Sequence, residues 1–149
     1  MSLGKLIISV AVFIGILMFN KTNTKFLKII LLGYILSFIS SFFDENSSID
    51  ISYLSFGILT LIYSVYSIYS KKWLSIILAL STLISFIFKT QHWPYMLETQ
   101  TLMIVPTIAY ILALKNYKPY KDEVSIQTIL VAYAISEIIR LVNYLIAIN

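Results

Sequence analysis

VSIQTILVAYAISEIIRLVNYLIAI, residues Val124 to Ile148, is an apolar run long enough to cross a bilayer, yet it carries Glu137 and Arg140 near its middle. At about 100° per residue, Tyr133, Ser136, Glu137, Arg140, Asn143 and Tyr144 fall within an arc of about 120°. Ile135, Ile138, Ile139, Leu141, Val142 and Leu145 take most of the remainder. A charge near the centre of a spanning helix costs about 2.5 to 3.5 kcal/mol on insertion scales, so this polar seam is expected to face inward, towards protein or water. The i, i+3 spacing permits a Glu137–Arg140 pair, and the hydroxyls and amide beside it supply the remaining hydrogen-bond partners.

Working outward, five further apolar runs precede this one. They predict an all-α fold, a single transmembrane helical domain over 1–149 with spans at about 2–19, 26–43, 51–70, 73–89, 98–115 and 124–148 and no soluble domain. The composition agrees: 59% hydrophobic and 12% charged residues lie far from the roughly 25% charged composition of soluble domains. Lys5 ahead of the first run looks like the start of a signal peptide, but the run ends in Met18-Phe19-Asn20-Lys21 with no small-x-small cleavage site, so a retained helix is expected. The fourth run, Leu74 to Phe88, is only 15 residues, about 22 Å, and needs Trp73 and Lys89 at its ends to span. Pro106 is expected to kink the fifth.

Ser and Thr recur at three- and four-residue spacings, as in Ser37/Ser41, Ser64/Ser67 and Ser81/Ser85. Such stripes read as packing seams, where small hydroxyl residues let helices approach. Zero cysteines remove disulfides and thiolate chemistry, and one histidine argues against a His-ligated metal, so no metal and no cofactor are expected. The net charge of +4 is spread over short turns without basic runs interleaved with aromatics, so no nucleic-acid partner is expected. The charge reads instead as topology. The first, third and fifth turns hold eight lysines (Lys21, Lys25, Lys28, Lys71, Lys72, Lys115, Lys118, Lys121) against Lys5 and Lys89 on the other side. That bias puts those turns in the cytoplasm and both termini outside, in the periplasm of a bacterial inner membrane.

Phe88-Lys89-Thr90-Gln91-His92-Trp93-Pro94-Tyr95 resembles the Phe-Lys-x-x-His-Trp-Pro-Gly linker of the GldL-type membrane subunits of gliding-motility and type 9 secretion motors. The likeness covers one helix, linker and helix, about Ser81 to Leu114, and implies a hairpin connection facing the periplasm. In plain physical terms Lys89, His92, Trp93 and Pro94 form an interfacial linker: Pro94 ends a helix, Trp93 suits the headgroup layer, Lys89 snorkels and His92 meets water or lipid phosphate. Ser136-Glu137 followed by Asn143 also resembles the late Ser-Asp-x5-Asn pattern of lysoplasmalogenase-like membrane proteins, which implies chemistry on a lipid headgroup.

Three functions remain open on this reading. The favoured one is a small structural or interaction module of a membrane complex, whose partners are membrane lipids and another membrane protein or a homo-oligomer. The others are an enzyme or binding protein for a lipid headgroup that uses the Glu137/Arg140 face, and a small transporter or channel. No Ser-His-Asp set, Gly-rich phosphate loop or His-x-x-x-His motif is present in the sequence, which favours the non-enzyme reading.

Overall fold

The computed structural model describes residues 3–40, 46–91 and 96–148. Among them the helices are α1 (Leu3–Met18), α2 (Lys25–Ser40), α3 (Asn46–Tyr69), α4 (Trp73–Thr90), α5 (Met96–Leu102), α6 (Ile104–Lys115), α7 (Tyr117–Tyr120) and α8 (Val124–Ile148), with no strand among the described residues. Among the described residues each of the six expected runs is largely helical, and residues 2 and 41–43 of those runs lie outside them. Four stretches are long and apolar enough to cross a membrane: Ile51–Tyr69, Trp73–Thr90, Leu97–Lys115 and Val124–Ala147. The short fourth run is among them because α4 extends beyond it at both ends, from Trp73 to Thr90, to 18 residues. The shorter members are α1 and α2, at 16 residues each.

The fifth run is broken, and not at the proline. α5 ends at Leu102 and α6 begins at Ile104, with the Met103 amide turning back to the Gln100 carbonyl at 3.1 Å. Pro106 acts one turn upstream of itself: its ring collides with the carbonyl of the residue four before it, Leu102, and it has no N–H to donate there. The helix resumes with Pro106 in its first turn, where a missing donor is tolerated.

Three residues, Ser70, Lys71 and Lys72, turn α3 into α4. Lys71 adopts a left-handed conformation at φ 55°, the Lys71 amide donates to Ile68 O at 3.1 Å and the Lys72 amide to Ser67 O at 3.2 Å. This is the Schellman ending of a helix with lysine where glycine is usual. It delivers the Lys72 side chain to the head of α4, whose free Leu74 amide is met by the Tyr120 hydroxyl at 3.4 Å.

The long helices close a ring in which α1 packs on α2, α2 on α3, α3 on α4, α4 on α6, α6 on α8 and α8 on α1. The first half of α8 leans inward from this ring and also touches α2, α4 and α5. Residues 124–134 are accordingly all buried. Around them Leu27, Leu31, Leu78, Ile126, Ile129 and Leu130 are fully enclosed, and Phe56 meets Tyr34, Phe38, Phe86 and Tyr133 with ring centroids 4.9–5.7 Å apart. At Gly57, α3 comes close to α4: a Cβ there would lie 2.3 Å from the Phe86 ring. The outward faces are aliphatic on every long helix, as with Ile16, Ile29, Leu54, Ile84, Ile111 and Ile146, which is far more exposed apolar surface than a water-soluble monomer carries.

Of the hydroxyl stripes, Ser37, Ser64, Ser67, Ser81 and Ser85 are buried, and Ser41 lies outside the described residues. Ser64, Ser67, Ser81 and Thr82 are buried, yet each donates to the carbonyl four residues back on its own helix at 2.7–2.8 Å. Hydroxyl bonds between elements include Tyr34 to Thr60 at 3.0 Å, Tyr110 with Thr128 at 2.8 Å and Thr22 with Ser125 at 3.0 Å.

Candidate functional site

The buried half of α8 is bounded by two carboxylates, Glu123 just before its first residue and Glu137 fourteen residues later. Fourteen residues fall about 40° short of four full turns, so both side chains leave α8 on nearly the same face, about 21 Å apart along the axis. α4 runs parallel to α8 beside that face and offers a lysine at each end.

At the far end Glu137, 3% exposed, accepts Lys89 Nζ at 2.6 Å on Oε1 and the Gln100 amide at 3.3 Å on Oε2. Lys89 is 17% exposed and lies over the rings of Tyr53 at 5.3 Å and Tyr133 at 5.8 Å. Its charge is thus matched by a carboxylate on one side and by the negative faces of two rings on the others. At the near end Glu123 is fully buried and meets Lys72 Nζ at 2.7 Å. The Tyr63 hydroxyl donates to its Oε2 at 3.0 Å, and the Ser75 hydroxyl makes a second bond to the same oxygen. Gln127 extends this cluster by donating to Ser75 Oγ at 2.9 Å. Each cluster therefore takes a lysine from an end of α4, a glutamate from α8 and a tyrosine from α3.

The polar seam foreseen on α8 is divided in two by this geometry. Tyr133, Ser136 and Glu137 are buried, but Arg140, Asn143 and Tyr144 are exposed, so the expectation that the whole seam faces inward is corrected. The physical reason is length. α8 has 25 residues against 18 for α4, and the two ion pairs hold their first ends level, so everything after about Glu137 projects past the end of α4. Arg140 therefore sits at the rim of the bundle, 58% exposed, and its Nη1 reaches Glu137 only at 3.4 Å. The main partner of Glu137 is Lys89, from another helix. α8 packs most extensively on α1 and α6, and α3 reaches it through the side chains of Phe56 and Tyr63.

Of the interfacial linker, Lys89 is drawn into the Glu137 cluster instead of snorkelling alone, and His92, Trp93 and Pro94 lie outside the described residues. Sequence reasoning missed Glu123, Lys72, Gln127, Ser75, Tyr63, Gln100 and Tyr53. A signal for one of them was present: carrying the α8 polar face back by four turns from Glu137 reaches Glu123 to within about 40°. Among the described residues no group of three or more His, Asp or Glu side chains is placed to hold a metal ion. Ser136 donates to the Tyr133 carbonyl of its own helix at 2.7 Å, so it does not stand free beside the carboxylate.

Fold and clusters together define a class: an all-helical bundle with four helices fit to cross a membrane, internally cross-braced by two buried ion pairs. No family model matches the chain, and neither the curated proteins nor the solved structures contain a match to it.

Proposed function

We propose that this protein is a six-span integral protein of a bacterial-type inner membrane that serves as a structural or interaction module within a membrane complex. The observation that carries this reading is that both buried carboxylates, Glu123 and Glu137, are closed by lysines of α4. A carboxylate held this way braces two helices and is not free to act as a base or to take a soluble ligand. In this reading α1 and α2 are the first two spans, with both termini and the 92–95 linker on the periplasmic side. The lysine-rich turns support that orientation because they belong to one end of the bundle: Asp122 accepts from the Asn23 amide at 3.3 Å and the Thr24 hydroxyl at 3.1 Å, and Lys72 meets Glu123. A cysteine at position 48 that is labelled only after permeabilisation would reverse the orientation.

The module reading assigns partner contact to the projecting turns of α8, where Val142, Leu145 and Ile146 are exposed beside Asn143 and Tyr144. The chain has no cysteine, so single-cysteine crosslinking in native membranes is clean. A cysteine at position 146 is expected to crosslink into one assembly of discrete size, whether with a second copy or a different membrane protein, and a cysteine at the buried position 134 is not. A monomer from both positions overturns the proposal.

One observation favours a transport reading as the second. Between the two carboxylates, Gln127 Oε1 and the Tyr133 hydroxyl are buried without a hydrogen-bond partner among the described residues. Unpaired polar atoms in a core are places where water or an ion is held. Proton or small-ion flux through reconstituted proteoliposomes that vanishes when Glu137→Gln and Lys89→Met are combined would establish this second reading over the first.

A further inference from the structure

A groove of about 720 Å³ opens at the lysine-rich end of the bundle, where the end of α6 and the short α7 meet the head of α4. Lys115, Asn116, Tyr117, Lys118, Tyr120 and Leu74 line it, so it presents two ammonium groups and no carboxylate. The nearest acids in sequence are already engaged, Asp122 by Asn23 and Thr24 and Glu123 by Lys72. Among the described residues neither Lys115 nor Lys118 is ion-paired. Below the groove, Lys115 heads a stripe on α6 that includes Ile111, Ile108 and Ile104 at spacings of four, three and four, and all three isoleucines are exposed. On α4, Trp73 heads a second exposed stripe with Ile77 and Ile84. A cationic head site bordered by aromatic rings and continued by aliphatic faces has the chemistry of an amphiphile with one negative charge in its head.

We propose that this groove binds the headgroup of an anionic phospholipid, its phosphate between Lys115 and Lys118, its polar linkage against Tyr117 and Asn116 and its chains along the α6 stripe. Two lysines close to a membrane surface each strengthen anionic-lipid binding by about fivefold, so a preference of at least about tenfold over a zwitterionic lipid of equal chain length is expected. The inference rests on the membrane reading above and concerns a different part of the molecule from the two carboxylate clusters.

The test is native mass spectrometry of the full-length protein in neutral detergent, offered phosphatidylglycerol and phosphatidylcholine of matched chains. The wild type is expected to retain phosphatidylglycerol preferentially, K115Q/K118Q to lose that preference, and K115R/K118R to keep it. K21Q/K25Q removes the same charge from the same end outside the groove and is expected to leave the preference intact. Equal retention of the two lipids by the wild type overturns the proposal, as does undiminished preference in K115Q/K118Q or equal loss in K21Q/K25Q. Displacement of the lipid by inorganic phosphate at matched concentration also overturns it, in favour of a soluble phosphate. Both lysines are exposed, and the single variants K115Q and K118Q, each expected to lower the preference about fivefold, carry the same test at smaller perturbation. Release of the protein from membranes by alkaline carbonate would refute the membrane reading itself; retention without lipid preference refutes this inference alone.

Discussion

Replacing Glu137 by Gln strands the Lys89 ammonium in a site where it is only 17% exposed and where the two tyrosine rings cannot substitute for a carboxylate. Two charges 2.6 Å apart attract by about 6 kcal/mol at an effective dielectric constant of about 20, and the cost of taking both from water offsets much of this. Removal of one partner of a buried pair costs about 3–5 kcal/mol, and the partial access of Lys89 to solvent puts E137Q at the lower end, about 3 kcal/mol. K89M should cost less, about 2 kcal/mol, because Gln100 and Arg140 still contact Glu137. The double variant E137Q/K89M leaves no unpaired charge between α4 and α8 and should also cost about 2 kcal/mol, giving a coupling energy of about 3 kcal/mol. The assay is equilibrium unfolding in mixed micelles followed by far-ultraviolet circular dichroism on the four proteins of the cycle. R140Q is the internal control, expected to cost under about 0.5 kcal/mol because Arg140 is mostly exposed and its contact is long. A coupling below about 0.5 kcal/mol, or an R140Q cost equal to that of E137Q, would refute the argument that Lys89 is the partner that fixes α8 against α4.

Three further outcomes follow from the same geometry. K71G should raise stability by about 1 kcal/mol in the same unfolding assay, because Lys71 occupies a left-handed conformation at φ 55° that glycine adopts without penalty; a loss of stability would show that the side chain is needed there. G57A should lower stability by about 1–3 kcal/mol, since its Cβ would stand 2.3 Å from the Phe86 ring and force the packed cluster of Tyr53, Phe56 and Phe86 to shift; an unchanged midpoint would mean that α3 and α4 separate at no cost. Y63F should cost about 1.5–3 kcal/mol by removing the hydroxyl donated to buried Glu123, and a cost below about 0.5 kcal/mol would show that Ser75 and Lys72 alone satisfy that carboxylate.

The seam on α8 shows how far a helical wheel carries and where it stops. Periodicity correctly grouped Tyr133, Ser136 and Glu137 on a buried face, because at that level α8 is enclosed by its neighbours. It extended the same fate to Arg140, Asn143 and Tyr144, which share the angle but lie beyond the end of α4. An angular position says which side of a helix a residue is on; its height relative to other helices is not contained in it. Glu123 shows the converse. Lying just outside the apolar run, it is a fully buried anchor, because the α3–α4 turn brings Lys72 to the same height and Tyr63 reaches across from α3.

The amino-acid sequence by itself determined the helical class, the succession of apolar segments and the outward aliphatic faces, all of which depend on residues a few positions apart whose burial preferences repeat with the helical period. The break at Met103 was also within its reach, since a proline acts on the turn that precedes it. Only the tertiary structure decided which charges meet. An ion pair depends on the register of two helices distant in sequence, and that register is set by turn geometry, helix length and packing together. The pairing of Lys72 with Glu123 and of Lys89 with Glu137, the release of Arg140 to the rim and the cationic groove between α4, α6 and α7 all arise at that level.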